Sequence, residues 1–147
     1  MKRARKGVFV VAYSLKPLRY LLLHRKLHWQ GWEFPKGGMF AREKPEHAVA
    51  REIKEETGLR AIKITKFNKN GSFIYDKKTA RERKAKNFSY VLFSCEVKKA
   101  KVKVAKEHDG YRWLSYRGAM KLLKWPDQKK CLKTVNNFIN KRALKEL

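Results

Sequence analysis

The sequence predicts an α/β fold, a mixed β-sheet sandwiched between α-helices, on three observations. Short apolar runs of strand character recur along the chain, one helix-like segment carries apolar and acidic residues on adjacent arcs, and an amphipathic helix closes the C-terminal end. A length of 147 residues with 43% apolar content suffices for one hydrophobic core. With no linker, repeat or shift in composition, residues 1–147 read as a single domain.

Taken in order, residues 7–13 (GVFVVAY) and 20–23 (YLLL) read as two strands joined by a turn at Leu15-Lys16-Pro17-Leu18. Residues 24–31 form a polar and aromatic loop expected at the mouth of a cleft. The apolar segment from Trp32 to Pro35 then breaks into a Lys36-Gly37-Gly38 turn, where glycine permits positive φ and close backbone approach. Pro45 near the start and Gly58 just past the end bracket a helix over 44–57.

Strand character returns at 61–67 and 71–75, and a long central strand is expected over 87–97. Between them Asp76 to Lys86 carries six basic and two acidic residues and reads as a hairpin loop. It is either a solvated basic tip or a device that captures phosphates or RNA. Residues 98–106 alternate Val102 and Val104 with lysines, the pattern of a strand with one charged face. A short helix over 115–123 and a longer one over 128–144 follow, the latter turning Leu132, Val135, Phe138 and Ile139 to the core.

The chemistry lies in the first helix. At about 100° per residue, Glu52, Glu55 and Glu56 fall within an arc of roughly 100°, and Val49, Ala50 and Ile53 occupy the neighbouring arc. Carboxylates held this close raise one another's pKa values and call for a cation. A hard divalent ion, Mg²⁺ or Mn²⁺, suits an all-oxygen donor set. The alternative is a solvated acidic face with Arg51 paired to Glu55 along the helix.

The flanks carry a resemblance. Gly37, five residues, Glu43, seven residues, Arg51-Glu52-Ile53, one residue, Glu55-Glu56, one residue and Gly58-Leu59 fill the nine defining positions of the Nudix box. The chain thus resembles the Nudix hydrolases, enzymes that split nucleoside diphosphates linked to a further group. The likeness extends over most of residues 5–140 and implies the Nudix fold. It also implies metal ligation by Glu52, Glu55, Glu56 and the carbonyl of Gly37, with Arg51 orienting a neighbouring glutamate. Glu43 is then a secondary ligand or the ion-pair partner of Arg51. The general base is Glu52 or Glu107.

Within the family, Trp32-Glu33-Phe34-Pro35-Lys36-Gly37 together with Glu107-His108 and Tyr111-Arg112-Trp113-Leu114 resembles the asymmetric dinucleoside tetraphosphate hydrolases. That likeness implies cleavage of diadenosine tetraphosphate to ATP and AMP, with Lys36 on the phosphates. Trp32, Tyr75 and Tyr90 are stacking candidates, Phe88 is a stacking or core residue, and His108 is a surface or hydrogen-bonding histidine or a phosphate contact. The same segment is similar to enzymes that remove pyrophosphate or a cap from RNA 5′ ends. A noncatalytic nucleotide- or RNA-binding module on this fold is the reading of another class.

The formal charge of +25 and pI near 10.3 point to polyanionic ligands such as a nucleotide polyphosphate chain or RNA, or to compositional adaptation. No run approaches the ~18 apolar residues of a membrane span and no export signal stands out, so no membrane partner and a cytoplasmic location are expected. Cys95 and Cys131 lack metal-ligand spacing and are expected as buried free thiols. Oligomeric state is left open, and a monomer is compatible with everything above.

Overall fold

The computed structural model describes residues 2–146. Its strands are β1 (Lys2–Ser14), β2 (Arg19–Arg25), β3 (Gly31–Glu33), β4 (Lys36–Gly38), β5 (Ala61–Ile74), β6 (Ala85–Val97) and β7 (His108–Leu114). The helices are α1 (Pro45–Thr57), α2 (Lys77–Arg83), α3 (Tyr116–Leu122) and α4 (Pro126–Lys145). The strands form one sheet in the order β3-β2-β1-β6-β5, with β4 paired to β1 and β7 to β2. β1 and β6 run parallel and the other pairs antiparallel, so the sheet is mixed as expected.

Period-two alternation along β1 divides the core between the two faces. Phe9, Val11 and Tyr13 pack with Leu132, Val135 and Ile139 of α4. Val8, Val10 and Ala12 pack with Ala48, Val49 and Ile53 of α1. Ala48 takes the buried place expected of Ala50, which is only half-buried, because the contact arc of α1 is centred nearer Val49. The Tyr20 hydroxyl donates to Asn136 Oδ1 at 2.7 Å and ties β2 to α4. Cys95 and Cys131 are buried free thiols, both pushed up to about 12 by burial.

Four local expectations change. Lys36-Gly37-Gly38 is not a turn but strand β4, with Gly37 opposite Val8 and Gly38 opposite Gly7. Close approach, not positive φ, is what these glycines provide: a Cβ on Gly7 would overlap the Gly37 carbonyl and the Phe88 ring. The two strands expected over 61–67 and 71–75 are one, β5, because the irregularity between Lys66 and Asn70 is absorbed as a bulge against β6.

The basic segment after β5 folds as α2, capped by the Asp76 side chain accepting from the Thr79 amide at 2.7 Å and stopped by Lys84 in the left-handed region. The strand expected over 98–106 does not form. Val102 is buried and Val104 half-buried against the α1-side core, and the Lys103 amide donates to the Thr57 carbonyl at 2.9 Å. No described helix is long and apolar enough to cross a membrane.

Candidate active site

Helix α1 starts at Pro45, whose ring pre-sets φ at the first helical position, and ends at Gly58, φ 75°, whose amide donates to the Lys54 carbonyl at 2.8 Å. Burial of Val49 and Ile53 against the sheet fixes the helix's rotation. That rotation turns Glu52, Glu55 and Glu56 into a cavity of about 730 Å³, which Gly37 also lines. A side chain on Gly37 would overlap the Glu52 carboxyl group, so any larger residue here would have to displace that carboxylate from its place beside β4.

Arg51 organises the acidic side. It donates through Nε and Nη2 to both oxygens of Glu43 at 2.8 Å, through Nη2 to the Gly38 carbonyl at 2.8 Å, and through Nη1 to Glu52 at 2.9 Å and Glu55 at 3.2 Å. Its plane also covers the Phe40 ring at 3.9 Å. Hydrogen bonding from Arg51 lowers the Glu43 carboxyl to about 2, which makes Glu43 the arginine's ion-pair partner. Both alternatives read from the helix therefore meet here: Arg51 does pair with a solvent-exposed Glu55, and the acidic edge nonetheless lines a cavity.

Glu52 and Glu56 are held differently. Burial pushes the Glu52 carboxyl up against the pull of Arg51, with the charge of Glu55 adding to the rise. Glu56 is also raised, by desolvation and by the charges of Glu33 and Glu52, and Lys36 only partly offsets this. Its one described hydrogen bond is from the Lys36 amide at 3.3 Å. Among the described residues no three Asp, Glu, His or Cys side chains are gathered into a finished metal cage. The donor set still suits a hard divalent cation: three carboxylates and the backbone of a glycine, with one carboxylate lacking a salt bridge among the described residues.

The cavity brings Lys36, Tyr75, Tyr90 and Glu107 to the same space as the carboxylates. Lys36 is shared, because its ammonium donates to Glu33 Oε1 at 2.6 Å. Glu107 is half-buried and has no salt bridge among the described residues. Phe88, expected as stacking or core, is both core and cavity wall, stacked with Tyr90 at 6.3 Å.

Two expected substrate contacts are not brought to the cavity. The side chain of His108 is fully buried, and its Nε2 donates to Glu33 Oε2 at 2.8 Å, so it is the hydrogen-bonding histidine of the expected alternatives, neither at the surface nor placed to meet phosphate. Trp32 packs edge-on against His24 and under Arg112, away from the cavity lining. Both displacements have one cause, since β3 and β7 flank β2 in the sheet and point these side chains into its packing.

The sequence reading missed several lining residues. Glu33 is buried at the centre of a network with Arg25 Nη1 at 3.0 Å, Lys36 and His108. Arg5 lies over Phe88 and Arg83 over Tyr75, adding two guanidinium groups to the cavity lining. Trp29, Trp125, Asp127 and Gln128 line a further part. A signal existed for Trp125-Pro126-Asp127, a helix start with Pro at the first position and an acid in the first turn. None existed for Glu33, whose partners lie up to 75 residues away.

The sequence model described as NUDIX domain matches residues 3–135. The RNA pyrophosphohydrolase of Pseudomonas aeruginosa is 30% identical over 139 residues, covering 86% of this chain and 82% of that protein. The asymmetrical bis(5′-nucleosyl)-tetraphosphatase of Mus musculus is 26% identical over 122 residues, covering 83% of this chain and 81% of that one. Among solved structures, a C. elegans Ap4A hydrolase binary complex superposes with a TM-score of 0.67 at 22% identity, covering 91% of this chain and 98% of that chain, a likeness of fold.

Proposed function

This chain belongs to the NUDIX domain family, and from that premise we propose that it is a divalent-metal-dependent hydrolase of dinucleoside polyphosphates, cutting diadenosine tetraphosphate to ATP and AMP. The observation that carries this reading is one cavity lined both by Glu52, Glu55 and Glu56 of α1 and by the basic side chains Arg5, Lys36 and Arg83. A polyphosphate chain needs both: cations to neutralise it at the reacting phosphorus and fixed positive groups to hold the phosphates on either side. Relatives named for asymmetrical tetraphosphate cleavage support the substrate class.

Mg²⁺ or Mn²⁺, held by Glu52, Glu55, Glu56 and the Gly37 carbonyl, would neutralise phosphate charge and lower the pKa of water. Arg51 fixes the Glu52 and Glu55 carboxylates through its two bonds to them, so their oxygens are already aimed when substrate arrives. Glu107, half-buried in the cavity and free of an arginine partner among the described residues, is the proton acceptor we assign; Glu52 is the other candidate and is already engaged by Arg51. The attacking water loses its proton to that carboxylate as the phosphoanhydride P–O bond breaks. Tyr75 is assigned to substrate contact at the cavity wall, and the buried Tyr90, its hydroxyl given to Asp127, supports that wall from the core.

A second reading is removal of pyrophosphate from RNA 5′ ends, favoured by the RNA pyrophosphohydrolase relatives and the charge of +25. Purified protein with Mg²⁺ is given diadenosine tetraphosphate and a 5′-triphosphorylated RNA at equal concentration, and products are resolved by ion-exchange chromatography. Equal amounts of ATP and AMP, released faster than pyrophosphate from RNA, are expected. Preference for RNA would establish the second reading, and failure on both with a folded protein would end the first.

A further inference from the structure

Glu33 is 1% exposed and takes no direct part in the chemistry, yet both of its carboxylate oxygens are engaged. Oε1 accepts from the Lys36 ammonium at 2.6 Å, and Oε2 accepts from Arg25 Nη1 at 3.0 Å and from His108 Nε2 at 2.8 Å. One side chain of β3 thus ties together β2, β4 and β7. Apolar side chains of similar volume often serve stability as well as a buried ion network does, so stability alone gives no reason for this one.

The groups that the network holds do give a reason. The His108 ring has no other hydrogen bond among the described residues, its Nδ1 being buried and unpaired, so its one polar tether is Glu33. Glu107 precedes it directly in the chain, at a place where the β2–β7 ladder is irregular. His24 lies opposite Gly110 and Arg25 opposite His108, which leaves Asp109 as the extra residue of a bulge. On the other side the Glu107 carbonyl accepts from the Lys26 amide at 2.9 Å, and Lys26 is held between Arg25 and Leu27, whose carbonyl accepts from Arg25 Nε at 2.8 Å. The backbone at Glu107 is therefore anchored on both sides by residues bonded to Glu33 Oε2.

We infer that Glu33 is a positioning residue for hydrolysis: Oε2 fixes Glu107 through His108 and Arg25, and Oε1 fixes Lys36, so that proton acceptor and phosphate contact are held in one register. Misplacing a reacting group by about 1 Å can cost on the order of 10²-fold in rate. A bulge supplies no regular ladder to prevent such a shift, and the Glu33 tether does. The inference rests on the reading that Glu107 accepts the proton and Lys36 meets phosphate.

The test measures hydrolysis of diadenosine tetraphosphate in Mg²⁺ by the parent, by His108→Phe and Glu33→Gln, and by both changes placed on Glu107→Gln. Amide hydrogen exchange is followed on each protein at a temperature where it is folded. His108→Phe keeps a ring and removes the tether. Its kcat should fall about tenfold or more at unchanged KM, and the Lys26 amide should exchange about tenfold or more faster while amides of β1 and β6 keep their rates. Glu33→Gln should show the same fall in kcat with KM raised as well, because Lys36 is also released. On Glu107→Gln neither change should lower kcat further, since the group they position is gone. Should Glu33→Gln fail to fold, His108→Phe and its cycle with Glu107→Gln decide alone.

A loss of kcat in His108→Phe that repeats in full on Glu107→Gln is that of a general defect and overturns the inference. So does parent-like kcat in a folded His108→Phe, exchange that quickens equally at Lys26 and in β1 and β6, or a Glu107→Gln protein with the parent's kcat. If the protein cuts 5′-triphosphorylated RNA and not diadenosine tetraphosphate, the same cycle is run on pyrophosphate release. The substrate reading then falls, and the same outcomes support or overturn the role of Glu33.

Discussion

Glu33 and Glu56 sit within reach of the same Lys36 and are held in opposite ways. Burial would raise the Glu33 carboxyl, but Lys36, the His108 hydrogen bond and Arg25 together hold it well below the usual carboxylate range. A carboxyl depressed on folding contributes stability that is present above its unfolded pKa, near 4.3 on average (roughly), and is lost as pH falls toward the folded value. Glu33→Gln is expected to cost about 3–5 kcal/mol at neutral pH, because Arg25 is left buried without its counter-charge. Urea unfolding between neutral and acid pH should show a steep acid limb in the parent and a flatter one in the variant; equal limbs would place the acid sensitivity elsewhere. Glu56 gives the reverse expectation. Its raised carboxyl marks a charge the fold holds at a cost, so Glu56→Gln should melt higher in EDTA while hydrolysis in Mg²⁺ drops by orders of magnitude. A variant that keeps its activity removes Glu56 from the site. The sequence signalled Glu56 through its spacing to Glu52, whereas Glu33 stood in an apolar segment and gave no sign of its charge network.

The elements that positioned the site were legible where their signals were local. Helix α1 runs within a residue of its expected limits because Pro45 and Gly58 act on the backbone at their own positions. The expected strand at 98–106 failed because alternation says which residues are apolar and not what they pair with; no strand edge receives this segment. The hairpin loop expected over 76–86 failed for a different reason, the six basic residues of that segment masking an Asp76 cap three residues before Thr79. That cap now carries a prediction. α2 is seven residues long, too short to be stable alone, and it brings Arg83 over Tyr75 at the cavity. Asp76→Ala should remove about 1 kcal/mol of local helix stability, with little change in the global melting temperature because the two main cores lie elsewhere. Steady-state kinetics should then show KM for diadenosine tetraphosphate rising while kcat holds. A fall in kcat at unchanged KM would mean that α2 supports the reacting atoms and not substrate capture.

Across the whole molecule, charge is distributed unevenly. Of 13 acidic residues, seven line the active-site cavity: Glu33, Glu52, Glu55, Glu56, Asp76, Glu107 and Asp127. The remaining surface is left strongly basic, at +25 overall, so the long-range field draws polyanions in while the cavity itself repels them until cations are bound. Such a field acts on approach and is screened over about 10 Å at 0.1 M salt. For a dinucleotide, every phosphate enters the cavity, and salt should weaken kcat/KM only modestly. A 5′-triphosphorylated RNA extends beyond it and can lie on the basic exterior, where each phosphate contacted adds about 0.7 to the negative log–log slope against salt. Measuring kcat/KM from low to moderate salt for diadenosine tetraphosphate and for triphosphorylated RNAs of increasing length separates the two uses of the charge. A slope that steepens with RNA length and then levels off would give the number of phosphates the exterior holds. A slope that is the same for every length would confine substrate contact to the cavity and leave the exterior charge without a part in RNA capture.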